Sequence, residues 1–385
     1  MNTIASTFLR CHLISLFALT FVACGGGGSD ADDQPDPDPG GLPPPAVVPE
    51  PIADRVTDHA FVTDHFSGSE NCAACHDGIR DTTGQDLSIV ADWQPSMMAG
   101  SSRDPLWRAK VASEIRRNPA LREEIQSTCS RCHMPMAHVE AEFATADITL
   151  FDGGLLDPDN MLFDAAADGV SCTLCHQIAD VPELGTEAGF SGNFEVPYSF
   201  GTDRLAFGQY DAPFEMVMRN QVGFTPAMSA HVSRSAVCAT CHNLSTPVLD
   251  AQGNATQQVF PEQTVYTEWE HSDFANSKSC QDCHLPLAAG DAVIATRPMN
   301  GLAARPDVAR HSFVGANTYM LEIFSANRGD LNITATGFAQ LIDETRAFLA
   351  GAVTLALNDV SRSGDELHFS VNLSNHSGHK FPTSY

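Results

Sequence analysis

Cys172-Thr173-Leu174-Cys175-His176 is the stretch on which the reading of this chain turns. Two thiols stand one helical turn apart, and an imidazole follows at once. The same spacing returns at Cys72-Ala73-Ala74-Cys75-His76, Cys129-Ser130-Arg131-Cys132-His133, Cys238-Ala239-Thr240-Cys241-His242 and Cys280-Gln281-Asp282-Cys283-His284. The chain has 385 residues and 12 cysteines. Cys11 and Cys24 lie near the N-terminus, and all the others fall in these motifs. The intervals between motifs are irregular, so this is not a solenoid repeat of constant period.

The spacing has a chemical reason. Each thiol of a CxxC pair can add across a vinyl group of haem, and the next residue then places its imidazole under the iron. A single motif also fits a zinc knuckle or a redox disulfide. Zinc sites pair their knuckles, so an odd number leaves one stranded. Exported proteins ordinarily oxidise their cysteines in pairs, whereas thioether attachment accounts for all ten motif cysteines here. The motifs therefore predict five covalently bound haem c groups. Their attachment residues are Cys72, Cys75, Cys129, Cys132, Cys172, Cys175, Cys238, Cys241, Cys280 and Cys283. Their proximal iron ligands are His76, His133, His176, His242 and His284.

The motifs also set the fold class. Each haem is a large apolar body that substitutes for side chains in a core, so few regular segments are needed. The expectation is a mainly α multihaem cytochrome c fold with much irregular structure, over residues 52–350. Pro105 to Ile125 has helical spacing of Leu106, Ala109, Val111, Ile115 and Leu121, with a break near Pro119. Ala335 to Leu355 is a second helix candidate. Residues 351–385 read as the start of a small C-terminal β segment, continuing beyond Tyr385. There, Val353 to Val360 and Glu366 to Leu373 alternate around Ser363-Gly364. A short hairpin packed on the haem domain is the other reading of that segment.

Residues 1–23 read as an export signal, with Arg10 as a weak basic region and an apolar run from Leu13 to Val22. That run is far below the ~20 residues needed to span a bilayer. Phe21-Val22-Ala23-Cys24 resembles a bacterial lipobox in which Cys24 is lipidated; an ordinary secretory signal is the alternative. Residues 24–51, rich in Gly, Asp and Pro, read as a disordered tether. The protein is thus expected in the periplasm, or at the outer membrane and cell surface as a lipoprotein. Membrane contact is expected only through the lipid anchor. With 48 acidic against 21 basic residues, the formal net charge is −27. That sign disfavours nucleic acid and anionic lipid, and favours redox partner proteins with basic docking patches.

The sixth iron ligand is a separate question. Outside the signal and the motifs stand His59, His65, His138, His231, His271, His311, His368, His376 and His379. Nine candidates for five haems leave at least four with other work. His231 lies seven residues before Cys238, near two helical turns. His311 opens the apolar stretch His-Ser-Phe-Val-Gly-Ala-Asn, and Gly378 and Pro382 flank His379. His65 and His138 are further candidates. Met98, beside Met97, offers a thioether, although core filling is the commoner use of methionine. Bis-histidine ligation lowers the potential relative to His/Met and closes the iron to substrates.

Together these motifs resemble a known group. The chain is similar to bacterial multihaem cytochromes c of the broad clan that holds tetrahaem electron carriers of ammonia oxidisers, pentahaem nitrite reductase and octahaem hydroxylamine oxidoreductase. The resemblance runs from about His65 to Tyr385. It includes a W-x-x-S element, Trp93-Gln94-Pro95-Ser96-Met97-Met98-Ala99, repeated as Trp269-Glu270-His271-Ser272-Asp273-Phe274-Ala275. In the tetrahaem carriers a histidine two places after this serine serves as a distal ligand. Met98 and Phe274 stand there in this chain, and Phe274 cannot ligate, which leaves room for a five-coordinate haem. Asn375-His376-Ser377-Gly378-His379-Lys380-Phe381-Pro382-Thr383 resembles a C-terminal motif of the same group. Pentahaem nitrite reductase uses CxxCK at its catalytic haem, whereas all five motifs here end in His. The motif count and the full set of proximal histidines favour an electron-transfer protein, with no catalytic residues assigned. The alternatives are an oxidoreductase acting on a small nitrogen or sulfur compound at one open haem, or a subunit of an outer-membrane electron conduit.

Overall fold

A computed structural model describes residues 55–198, 203–250 and 252–383. The export signal, Cys24 and the tether lie outside the described residues. The chain divides into two compact units. Of the described residues, the larger takes those within 55–352 and 377–383, and the smaller takes 353–376.

The larger unit is a series of short helices joined by long loops. In order these are α1 (Ser69–His76), α2 (Ile89–Trp93), α3 (Pro105–Arg117), α4 (Arg122–His133), α5 (Pro135–Phe143), α6 (Phe163–Ala167) and α7 (Cys172–Cys175). They continue with α8 (Glu215–Val222), α9 (Ala236–His242), α10 (Val265–Glu270), α11 (Cys280–His284), α12 (Thr318–Ala326) and α13 (Phe338–Ala350). α3 shows why a helix forms where it does. Asp104 caps it by accepting from the Leu106 and Trp107 amides, Pro105 opens it, and Arg116 and Arg117 face the negative end of its dipole. Trp107, Val111 and Ile115, four residues apart, form its buried stripe. It ends at Asn118 because Pro119 cannot supply an amide to continue the ladder. A 3₁₀ turn, Pro119–Leu121, bridges to α4.

One apolar cluster lies between α12 and α13. Met320, Leu321 and Phe324 pack against Phe338, Leu341 and Ile342, with Met97 at the edge. Truncating one such leucine to alanine removes about 2–5 kcal/mol of stability. A smaller cluster of Val90, Trp93 and Ala99 packs directly on Cys72, Ala73 and Cys172, so two of the CxxCH motifs border one apolar patch.

Strand content is greater than the sequence suggests. Besides the C-terminal hairpin, two sheets lie within the motif-bearing unit. β1 (Arg204–Gly208) runs parallel to β2 (Phe224–Met228), and β3 (Asn243–Leu249) runs antiparallel to β4 (Ala255–Thr264) with two register shifts. Their strands are short or carry proline (Pro226, Pro247, Pro261), which masks the alternation that marks a strand. In the smaller unit, β5 (Val353–Ser363) pairs antiparallel with β6 (Glu366–Asn375), with a bulge between Asn358 and Ser361.

Candidate functional site

Each of the five motifs sits on a short helix that ends at, or one residue before, its histidine: α1, α4, α7, α9 and α11. One helical turn sets the two thiols on the same side of the helix, and the terminal histidine leaves it at the C-terminal end. Distant loops then catch the imidazoles. His76 Nδ1 donates to the Ile294 carbonyl at 2.8 Å, His133 to Ser101 at 3.2 Å, His176 to Phe207 at 2.6 Å and His284 to Val314 at 2.6 Å. Donation from Nδ1 fixes the tautomer and leaves the Nε2 lone pair for a metal, the usual outer-shell arrangement of a metal-bound histidine. Burial lowers the pKa of these four imidazoles and of His242, so the neutral, ligating form is favoured. Trp107 adds a stacked ring on His133, 4.4 Å between centroids.

Two proximal imidazoles face a second one. His176 and His311 have ring centroids 6.4 Å apart and planes 24° apart. His284 and His379 stand 6.3 Å apart, with planes 10° apart. Two imidazoles on opposite sides of one metal need about 2 Å per metal–nitrogen bond and about 1.1 Å from nitrogen to ring centre, hence about 6.2 Å in all. Both pairs match that spacing. His311 Nδ1 donates to the Ala309 carbonyl and His379 Nδ1 to the Lys380 carbonyl, which repeats the anchoring of the proximal side. Burial pushes the His311 pKa down to about 4.

The remaining distal candidates are placed differently. His231 does not present itself as a ligand. Its Nε2 donates to the Ile178 carbonyl at 2.7 Å, and its Nδ1 lies 2.6 Å from Ser229 Oγ, so both nitrogens serve the protein. His65 is buried, with Nδ1 3.1 Å from Glu140 and its ring against Phe143 and Tyr198. His138 Nδ1 bonds Ser130 Oγ inside the second motif, which places it against the helix bearing that motif. Among the described residues, neither ring lies against a proximal histidine. The Met98 carbonyl accepts from the Val170 amide, two residues before Cys172, so Met98 stands at the entry to the third motif.

The motifs converge although the sequence separates them. The Cys72 thiol touches Cys172, Cys132 touches Cys241, and Cys238 touches Cys280. These contacts, with burial, push the Cys72, Cys132 and Cys238 thiols upward. None of the ten motif cysteines is joined to another in a disulfide. Haem fits this setting on independent grounds. Buried polar atoms beside the motifs lack partners, among them Ser171 Oγ, Gln281 Oε1, Ser102 Oγ and Ser312 Oγ. Arg103 and Arg108 are buried guanidiniums that, among the described residues, donate to Thr57 and to the Ser102 carbonyl. Haem propionates are carboxylates of the kind such donors seek. Among the described residues no group of three or more His, Cys, Asp or Glu side chains converges on one point. A haem iron would take its other ligands from the porphyrin, so a pair of imidazoles would be enough to hold it.

Several functional contacts had no signature in the sequence. The carbonyls of Ile294, Ser101, Phe207 and Val314 belong to residues of no particular type. No helix among the described residues is long and apolar enough to cross a membrane. Comparison with known protein families, curated proteins and solved structures finds no match to the chain.

Proposed function

We propose that this chain is an exported multihaem c-type cytochrome that carries electrons through five covalently attached haems. Haem c bound at each motif supplies a one-electron iron couple. The observation that carries the reading is the convergence of the motifs: thiols from the first and third, the second and fourth, and the fourth and fifth touch in pairs. These contacts join the first motif to the third and the second and fifth to the fourth, and the Cys175 thiol of the third motif lies within electrostatic reach of Cys238 and Cys241 in the fourth, so redox groups attached at these points would form one set. The chain's part is to hold and orient. Backbone carbonyls hold four proximal imidazoles in the ligating tautomer, and His311 and His379 stand opposite two of them. Export, a lipid anchor at Cys24 and basic redox partners belong to the same reading and rest on the N-terminal sequence and the net charge.

The test is electron paramagnetic resonance on the oxidised protein, with an optical haem count on the same sample. Five low-spin haems support the carrier. Fewer than five haems per chain would overturn the stoichiometry. A second reading, an oxidoreductase acting on a small nitrogen or sulfur compound, is favoured by Phe274, which stands where the resemblance expects a ligand. One high-spin haem would move the reading to that alternative, and nitrite, hydroxylamine and tetrathionate are then the substrates to assay.

A further inference from the structure

The two W-x-x-S elements do the same job at two places. Each is immediately preceded by an acidic residue: Asp92-Trp93 and Glu268-Trp269. The Trp93 indole N–H donates to the Val170 carbonyl at 3.0 Å, and the Trp269 indole N–H donates to the Lys278 carbonyl at 2.9 Å. Val170 lies two residues before Cys172, and Lys278 two residues before Cys280. Both indoles therefore fix the entry to an attachment helix.

The acidic neighbour reaches the other way. Asp92 accepts from Arg310 through both oxygens, Nε at 3.0 Å and Nη2 at 2.8 Å, and Glu344 takes Nη1 at 2.8 Å. Arg310 immediately precedes His311. Glu268 Oε2 accepts from the Lys380 amide at 3.0 Å and from Thr383 Oγ1 at 2.7 Å. Lys380 immediately follows His379. Gly378 lies so close to Trp269 that an added Cβ would meet its Cδ1 at 3.2 Å. In both cases the histidine so held is the one opposite the proximal histidine of the motif that the tryptophan holds.

We propose that Asp92-Trp93 and Glu268-Trp269 are duplicated clamps, each joining the attachment helix of one haem to its distal ligand. The first pairs Cys172–His176 with His311, and the second pairs Cys280–His284 with His379. Asp92 and Glu268 are positioning residues, since they grip the residues beside His311 and His379, Arg310 and Lys380, and not the imidazoles themselves. The device accounts for Phe274. The ligand that the resemblance places two residues after Ser272 is supplied instead by the Gly378-His379 loop, which lies against Trp269 and Phe274. A carboxylate in contact with the chain beside each ligand holds it with charge-assisted or paired hydrogen bonds, which are stronger than neutral ones.

This inference rests on the haem reading, and the experiment separates the two. In the full-length haem-loaded protein, Glu268→Ala and Asp92→Ala are compared with wild type by haem count, paramagnetic resonance and potentiometric titration. Glu268→Ala is expected to turn one haem high-spin, or to shift its one-electron equilibrium at least roughly tenfold, with the other four unchanged. Asp92→Ala is expected to do the same to a different haem. A fall in melting temperature with five unaltered low-spin signals and potentials in both variants would mean a purely structural role and overturn the clamps. A wild-type haem count of zero would instead remove the proposed function. If either variant fails to accumulate, Thr383→Val and Glu344→Gln loosen the same grips from outside and are read by the same two outcomes.

Discussion

A histidine becomes an iron ligand through what holds its other nitrogen. His311 and His379 each donate Nδ1 to a carbonyl and face a proximal ring at about the spacing of a shared metal, whereas His231 spends both nitrogens on the protein. His311→Ala and His379→Ala are each expected to convert one low-spin haem to high-spin while the haem count stays at five. His231→Ala is expected to leave all spin states alone. Paramagnetic resonance on the three variants decides this. His138 makes a different prediction. Burial, then Arg131, lowers its pKa to about 4. The unfolded chain therefore binds a proton at this site between about pH 6.5 and 4 that the folded chain refuses. Stability from this site is fully present above the unfolded value and is lost as pH falls through that window, by at most about 3 kcal/mol. Denaturant midpoints at pH 7.5 and 4.5 should differ less in His138→Gln than in wild type.

At the scale of the element, the motif helices are too short to stand alone and depend on their ends. α11 has only five residues but carries a complete capping box, in which Ser279 Oγ and Asp282 exchange hydrogen bonds with each other's backbone amides. Asp282 is also the residue before Cys283, so cap and attachment site share one turn. Ser279→Ala is expected to cost about 1 kcal/mol, within a range of about 0.5–2. Thermal melts check that value. The element scale is also where the sequence is partly legible. The break between α3 and α4 was visible at Pro119, and the alternation around Ser363-Gly364 marks the β5–β6 turn. The β1–β2 pair was not legible, because a five-residue parallel strand has no hairpin signal and Arg204–Gly208 pairs with a segment 20 residues on.

For the whole molecule, charge governs encounter. A formal net charge of −27 steers cationic partners, and the steering fades as the Debye length falls to about 8 Å at physiological salt. Reduction by a basic donor protein should therefore slow steeply with ionic strength, while reduction by a neutral small reductant should not. Stopped-flow rates over a salt series measure the contrast.

Taken alone, the sequence displayed the motifs on which the proposed attachment chemistry rests. Thiol and imidazole spacing within one helical turn is local, so five CxxCH motifs can be read without any fold. It also narrowed the candidate distal ligands to five histidines and Met98 and displayed the twin W-x-x-S elements, though not their purpose. Only the tertiary structure decided which histidine faces which. His176 and His311 are 135 positions apart, and His284 and His379 are 95 apart. Such pairings are set by loops returning from elsewhere and by backbone carbonyls that any residue could supply. That is why His231, with an equally good local spacing, ends up as a hydrogen-bonded core histidine and His379 ends up opposite His284.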